Sequence, residues 1–342
     1  MTNGDAEDGN RLLAGYPGGH DFPTLIIHSD KMRDVMRRIK QFAPYDIPLV
    51  LQGETGVGKT ELAREIHHLS KRNSGPFETV DCSALPEGTL ESELFGHEKG
   101  AFTGAFRRKP GLFELAGGGT LFLEEISNVS LHLQAKLLKT VEEKRIRKVG
   151  GTEWIDSDFR LVTATNKNLS RFVSEGKFRE DLYYRILGQM IVVPPLRERR
   201  DEIIPLAEQF LHEFARRNNV PLLSRFKIIS AEAMTLLINY QWPGNVRELR
   251  HMMERAFCLA EGRIITRDHI TLPRAPEAFP DGEDGFLTIR QLEKDHIIRV
   301  LEYCEGNRRR ASDILGIAVK TLYNRMTAYG LHERLTRKFM AL

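Results

Sequence analysis

Glycines, a lysine and a threonine stand at phosphate-binding spacing in GETGVGKT, residues Gly53, Glu54, Thr55, Gly56, Val57, Gly58, Lys59 and Thr60. The stretch fits G-x-x-x-x-G-K-[ST] and follows the apolar run IPLVLQ. Glycines let successive backbone N–H groups curl round phosphate oxygens, and a helix start adds positive potential. Lys59 is suited to the β- and γ-phosphates, and the Thr60 hydroxyl to Mg2+. A plain glycine-rich strand–helix turn is the alternative, and the context disfavours it. Such a loop needs acids at a neighbouring strand end, and GGTLFLEEIS supplies Glu124 and Glu125. Glu124 is expected to hold the metal through water and Glu125 to polarise an attacking water. Thr165 and Asn166, closing FRLVTATN, present a hydroxyl and an amide where a parallel strand ends, suited to sensing a γ-phosphate. Arg179 and Arg185 in FREDLYYR are either ion-paired locally, with Glu180 or Asp181, or presented to a neighbouring subunit. In the second case they stabilise a transferring phosphoryl group, an effect of ~10³–10⁵ in rate.

These residues need rigid elements behind them. Short apolar runs at 47–52, 77–81, 120–125, 159–165 and 189–193 read as buried strands, alternating with amphipathic stretches such as 60–69 and 131–142. That alternation predicts an α/β fold with a doubly wound parallel sheet. From about Asp201 to Leu259 the pattern is helical, a lid-like region. The Pro-, Gly- and acid-rich run at 271–285 reads as a linker. Three helical patterns follow, at 287–303, 308–315 and 319–329, the last two joined by the short Gly316–Ile317.

Bulk composition excludes several classes. Of 342 residues, 41% are hydrophobic and 28% charged, an ordinary globular balance rather than a disordered or fibrous one. The formal charge of the whole chain is only +3. Residues 286–342 carry eleven Lys/Arg against six Asp/Glu, so this tail alone exceeds the net charge of the whole. Three widely spaced cysteines, Cys82, Cys258 and Cys304, form no disulfide framework or metal knuckle and read as small core residues. The acidic, Gly-rich leader at 1–23 lacks a signal pattern, and no apolar run approaches the ~20 residues of a membrane span. A cytoplasmic protein is expected.

A further stretch, HEKGAFTGAF at 97–106, sets two phenylalanines among glycines, where a turn tucking both rings inward and an exposed partner-seeking loop are both possible. GETGVGKT, ESELFGHEKGAFTGA, GGTLFLEEI, GKFREDLYYR, PPLRER and WPGNVREL occur in the order found in bacterial enhancer-binding proteins, which the chain resembles from about Thr24 to Ala260. These are AAA+ ATPase activators of RNA polymerase carrying sigma-54. The tail resembles their Fis-type helix-turn-helix. The resemblance implies an AAA+ P-loop parallel sheet with a helical lid, plus a small all-α DNA-binding domain. Boundaries follow at 24–200, 201–270, 271–285 and 286–342. It implies ATP and Mg2+ as cofactors, with Thr60 and Glu124 at the metal. Glu124, Glu125, Arg179 and Arg185 are then catalytic, and Thr165 or Asn166 senses nucleotide. Arg247 reaches ATP from the lid. Gly100, Ala101, Phe102, Thr103, Gly104 and Ala105 form a hinged loop that engages sigma-54, with a second loop at about 148–156 beside it. Trans-acting arginines imply a ring, a hexamer.

Two residues depart from the family pattern. Glu124 stands where Asp is usual, and its extra methylene carries the carboxylate roughly 1.5 Å outward. Asp81 stands where an Asn often restrains the catalytic glutamate, and a carboxylate there would repel Glu125. No receiver domain is expected before residue 24, so either control is expected in trans, from a regulatory protein or from abundance, or the chain is a fragment of a longer protein.

In the tail, Ala311, Ile314 and Leu315 are expected to face inward from one helix, and Leu322, Met326 and Tyr329 from the next. Val319, Lys320, Thr321 and Asn324 would then meet bases in the major groove of upstream DNA. Arg308, Arg309, Arg310 and Arg325 would grip phosphates. The helix at 287–303 is expected to pair with its twin in a dimer. The leading expectation is a sigma-54 activator that melts promoters by ATP hydrolysis. The alternative is a DNA-binding regulator whose AAA+ module binds ATP for assembly, hydrolyses it poorly and needs a partner. A small-molecule P-loop enzyme leaves the tail unexplained.

Overall fold

A computed structural model describes residues 25–220, 227–272, 289–304, 306–329 and 331. The expected leader, and nearly all of the linker, lie outside these residues. The chain divides into two units, Met1–Thr271 and Leu272–Leu342.

The first unit opens with α1 (Asp30–Phe42). Ser29 caps it by accepting from the Met32 amide at 3.2 Å, and Met32, Val35, Met36 and Ile39 recur at helical spacing on the buried side. Five strands make the sheet: β1 (Leu49–Gln52), β2 (Phe77–Asp81), β3 (Thr120–Glu124), β4 (Arg160–Thr165) and β5 (Gln189–Val192). Each of the five apolar runs forms one of them. Their spatial order is β2-β3-β4-β1-β5, parallel throughout. Parallel strands are covered on both faces, and the alternation within β1 shows it. Leu49 and Leu51 pack with Met32, Ile39, Leu62 and Ile66. Val50 packs in the opposite layer with Leu121, Leu123, Leu133 and Leu137. The helices of the two layers include α2 (Lys59–His68), α3 (Glu87–Phe95), α4 (Leu112–Leu115), α5 (Leu131–Glu143), α6 (Leu169–Ser174) and α7 (Glu180–Ile186).

The lid is helical, with α8 (Ile203–Arg217), α9 (Ala231–Asn239) and α10 (Asn245–Leu259). It also holds a two-residue parallel pair, Ile228–Ile229 with Ile264–Ile265, where the sequence suggested that strands had stopped. Two residues are too short to display the period-2 alternation by which strands are read. Trp242 is fully buried in the lid, and its indole N–H donates to the Leu237 carbonyl at 2.8 Å.

The second unit has α11 (Ile289–Tyr303), α12 (Arg308–Leu315) and α13 (Val319–Ala328). Gly316, at φ +64°, makes the left-handed turn between α12 and α13. Ile297, Val300, Leu301, Ala311, Leu322 and Met326 form its core. Ile314, expected inward, is 51% exposed, and the small Ser312 is buried in its stead. The face of α12 is therefore rotated from the apolar pattern towards Ala311 and Ser312. Of the cysteines, Cys82 and Cys304 are buried as expected, but Cys258 is exposed. Burial pushes the Cys82 thiol up to about 12, so it stays protonated and inert.

Candidate functional site

The phosphate loop runs from the end of β1 into α2. Gly58 caps α2 at φ +102° and has open space around its Cα. Lys59 is buried, and its ammonium donates to the carbonyls of Gly53 and Glu54 at 2.8 and 3.2 Å. It also lies 3.3 Å from Glu125 Oε1.

The acids sit as expected at the end of β3. The Thr60 hydroxyl donates to Glu124 Oε1 at 2.8 Å, so the longer glutamate side chain directly reaches the hydroxyl expected at the metal. The strand ends at Glu124, because Glu125 turns left-handed at φ 52°, ψ 50°. Its other oxygen accepts the Asn166 amide at 3.0 Å. The Asn166 side chain in turn donates to the Thr55 hydroxyl at 3.1 Å. A hydroxyl and two carboxylates beside a lysine are hard oxygen donors that fit a phosphate-bound Mg2+. Thr165 does not reach this cluster. It is fully buried and bonds Ser127 Oγ at 3.0 Å. Of the two sensing candidates, Asn166 is therefore the one that faces the site. Asp81, expected to repel Glu125, accepts instead from the Ser83 amide and hydroxyl at 2.8 and 2.6 Å. Glu125 is restrained by Asn166 and Lys59 in place of an Asn.

The lid and the segment leading into it contribute contacts that sequence reasoning did not assign. Arg197 makes a two-pronged ion pair with Glu54 at 2.8 and 2.6 Å. Asn245, buried and left-handed at φ +53°, donates to Glu54 Oε2 and to the Thr55 carbonyl, both at 3.1 Å. Both residues lie inside PPLRER and WPGNVREL, the signal that could have found them. Arg247, assigned from the same motif, contacts the loop through its backbone amide, 3.3 Å from the Gly56 carbonyl, while its side chain is exposed. The Arg197 guanidinium holds the Glu54 carboxyl below its ordinary value of 4.5. A depressed carboxyl contributes stability that is complete above its unfolded value and is lost as pH falls through the folded one. The melting temperature of Arg197→Ala is therefore expected to trail the parent by no more than about 2–4 °C near neutrality. That gap should close as pH drops below 4.5. A gap constant with pH would remove the ion pair from this role.

On the same unit, the 97–106 stretch forms a tight surface turn. The Gly100 amide donates to the Ala105 carbonyl at 2.8 Å, and the Ala105 amide to Phe102 at 3.0 Å. Gly100 and Gly104 take φ +84° and +104° with open space around them. Phe102 is 47% exposed, its ring edge-on to His97 at 5.0 Å between centroids. Thr103 is exposed as well, whereas Ala105 is buried and closes the turn rather than lining its outer face. Phe106 is 82% exposed, so neither ring is tucked away. The second loop lies alongside: the Glu98 amide donates to the Val149 carbonyl at 3.0 Å, and a Cβ on Gly150 would come within 2.8 Å of Ala101.

Comparison with known families matches a sigma-54 interaction domain over residues 25–192, an AAA+ ATPase lid domain over 197–278 and a Fis-family bacterial regulatory domain over 288–329. The transcriptional regulatory protein FlbD of Caulobacter vibrioides is 41% identical over 326 residues, covering 90% of this chain and 71% of FlbD. The chain belongs to the sigma-54-dependent transcriptional activators. The regulatory protein AtoC of Escherichia coli is 42% identical over 329 residues, covering 94% of this chain and 70% of AtoC. The crystal structure of NtrX from Brucella abortus in complex with ATP superposes with a TM-score of 0.66 at 30% identity, covering 90% of this chain and 69% of NtrX. This activator is thus an AAA+ ATPase with a nucleotide-binding module and a Fis-type DNA-binding domain. No described helix is long and apolar enough to cross a membrane.

The remaining expected residues of the activator lie at its surface. Arg179 is ion-paired with Asp181 at 2.7 Å, and its backbone amide donates to Gln134. Arg185 is exposed, with no ion pair among the described residues. In the DNA-binding unit, Val319, Lys320, Thr321 and Asn324 are exposed on α13, as are Arg309 and Arg310 on α12. Three of the arginines already have partners, Arg310 lying over the Tyr303 ring at 5.7 Å from its centroid. Arg308 stacks on the Tyr323 ring, 4.8 Å from its centroid, and bonds its hydroxyl. Arg325 pairs with Glu293 at 2.8 Å, and Glu293 also accepts from the Tyr329 hydroxyl at 2.6 Å. Arg325 keeps 48% of its side chain exposed in this pair.

Proposed function

We propose that this activator binds upstream DNA through α12 and α13, assembles as dimers into a hexameric ring, and uses ATP hydrolysis to remodel the sigma-54 polymerase from closed to open complex. The observation that carries the reading is the convergence of Lys59, Thr60, Glu124, Glu125 and Asn166 beside one phosphate loop, on a unit that also bears an exposed, glycine-hinged phenylalanine loop. Its regions are read as an α/β module at 24–200, a lid at 201–270, a linker at 271–285 and a DNA-binding domain at 286–342. A DNA-binding regulator of this kind works in the cytoplasm.

In this reading the amides of residues 54–60 and Lys59 cradle the phosphates, the Gly53 amide being held by the Thr165 carbonyl at 3.1 Å. Thr60 and Glu124 hold Mg2+, which when bound neutralises phosphate charge. Glu125 polarises the attacking water, and as it leaves Lys59 and Asn166 for that water, Asn166 turns to the terminal phosphate. Arg185, and Arg179 once freed from Asp181, serve the site of a neighbouring subunit, an effect of ~10³–10⁵ in rate. Arg247 closes the site from the lid. Gly100–Ala105 carry the motion to sigma-54 through Phe102 and Thr103. A trans-acting regulatory protein supplies the input signal.

The test is promoter melting by sigma-54 polymerase with this activator bound upstream, read with ATP and with a non-hydrolysable analogue. Melting with ATP alone is the expected result. Upstream binding without melting in either would favour an AAA+ module retained for assembly.

A further inference from the structure

A phosphate loop offers its N–H groups to the anion, and here its carbonyl side is held throughout by the chain itself. Lys59 takes the Gly53 and Glu54 carbonyls, and α2 takes that of Gly58 through the Leu62 amide at 3.1 Å. The three carbonyls between them are taken by the lid and the segment leading into it. Asn245 Nδ2 donates to Thr55 at 3.1 Å. The Val246 amide donates to Gly56 at 2.9 Å and the Arg247 amide at 3.3 Å. These are first-turn amides of α10, which have no partner within their own helix. Arg199 Nη2 donates to Val57 at 2.7 Å.

A trans peptide is planar, so the C=O of one residue and the N–H of the next point in opposite directions. Fixing the carbonyls of Thr55, Gly56 and Val57 therefore fixes the direction of the Gly56, Val57 and Gly58 amides. We propose that Asn245 and Arg199, with Arg197 fixing the Glu54 carboxylate that Asn245 also contacts, are positioning residues that orient the phosphate-loop amides for ATP. The lid and the segment leading into it thereby set nucleotide affinity through the back of the loop. The inference rests on the reading of Gly53–Thr60 as the ATP phosphate site.

Three features fit this role. Gly56 allows the close approach, since a Cβ there would fall 2.4 Å from the Gly244 carbonyl. Asn245 is itself braced, accepting the Leu196 amide at 2.8 Å. Arg199 is buried against Glu202 at 3.2 Å, and Glu202 also accepts the His28 and Ser29 amides at 3.1 and 3.0 Å. A buried ion pair is often no more stabilising than apolar side chains of the same volume. A hydrophobe could fill this space but could not hold the Val57 carbonyl.

Asn245→Asp is the sharpest test, because it keeps the volume, the left-handed tolerance and the bond from Leu196. It turns the group facing Thr55 O and Glu54 from donor to acceptor. The dissociation constant for a non-hydrolysable ATP analogue, and KM for ATP, are expected to rise by about tenfold or more. kcat at saturating ATP should change far less. The nucleotide-free melting temperature is expected to fall as well, because the new carboxylate is buried facing Glu54, so the dissociation constant is read on the folded variant. A merely structural role would lower the melting temperature and leave the dissociation constant alone. Should Asn245→Asp fail to fold, Arg197→Ala, at a half-exposed side chain, is expected to weaken binding several-fold, with Arg197→Lys recovering part. Wild-type affinity in the folded lid variant overturns the inference. Lys59→Ala separates the two levels. If it too binds normally, the phosphate-site reading fails; if it loses binding while the lid variant does not, only the lid inference fails.

Discussion

Glu125→Gln is expected to lower ATP turnover by ~10²–10⁴ while nucleotide still binds, because a general base is removed without a change of shape. The residue's surroundings support the separation of effects. Its carboxylate lies 3.3 Å from Lys59 and accepts the Asn166 amide at 3.0 Å, and a Gln carbonyl can accept from either. Its left-handed backbone is held by the turn after β3 and does not depend on the charge. Ring assembly that depends on bound ATP should survive, and promoter melting should not. Turnover within a few-fold of the parent would move the base elsewhere. Asp81 is a poor substitute, since its Oδ1 already accepts from the Ser83 amide and hydroxyl at 2.8 and 2.6 Å, which fixes the carboxylate against its own turn.

Phe102→Ala is expected to cut open-complex formation by ~30-fold or more, as for an anchoring aromatic at an interface, with ATP hydrolysis nearly unchanged. The ring touches His97 and is otherwise 47% exposed, so its removal leaves no core cavity. Stability should therefore move by no more than about 0.5 kcal/mol, as for other surface substitutions. Melting of the promoter, hydrolysis rate and thermal stability, measured on one preparation, distinguish the outcomes. Undiminished melting would remove Phe102 from the contact and direct attention to Phe106, the more exposed ring. Hydrolysis lost together with melting would mean that the loop is coupled to the site in a way that its surface position does not suggest.

The chemistry along the chain was readable because it depends on local order. A strand, a glycine loop and a helix start are contiguous, so GETGVGKT carries its own geometry, and Lys59 and Thr60 stand where that spacing requires. The five sheet strands were legible for a related reason. The inner strands β1, β3 and β4, buried on both faces, read as near-continuous apolar runs, whereas β2 and β5 at the sheet edges are only partly buried and carry polar residues. Ile314 and Cys258 were misplaced because an apolar side chain declares only that burial suits it, and the rotation of a short helix is decided by what packs against it. Thr165 and Asn166 were equivalent in sequence. Only the pleat of β4 sends one towards Ser127 and leaves the other to reach Glu125 and Thr55.

By itself, then, the sequence determined the order of the motifs, the parallel α/β module, the acids at the end of β3 and the basic helical tail. Each of these follows from residues adjacent or periodic along the chain. Tertiary structure alone decided which side chains meet across distance. Asn245 reaches a carbonyl 190 residues earlier, and Arg199 reaches one 142 residues earlier. Glu293 pairs with Arg325 from a helix 32 residues earlier. Such pairings depend on how layers stack, and no local pattern of residue types encodes the direction in which a distant carbonyl points.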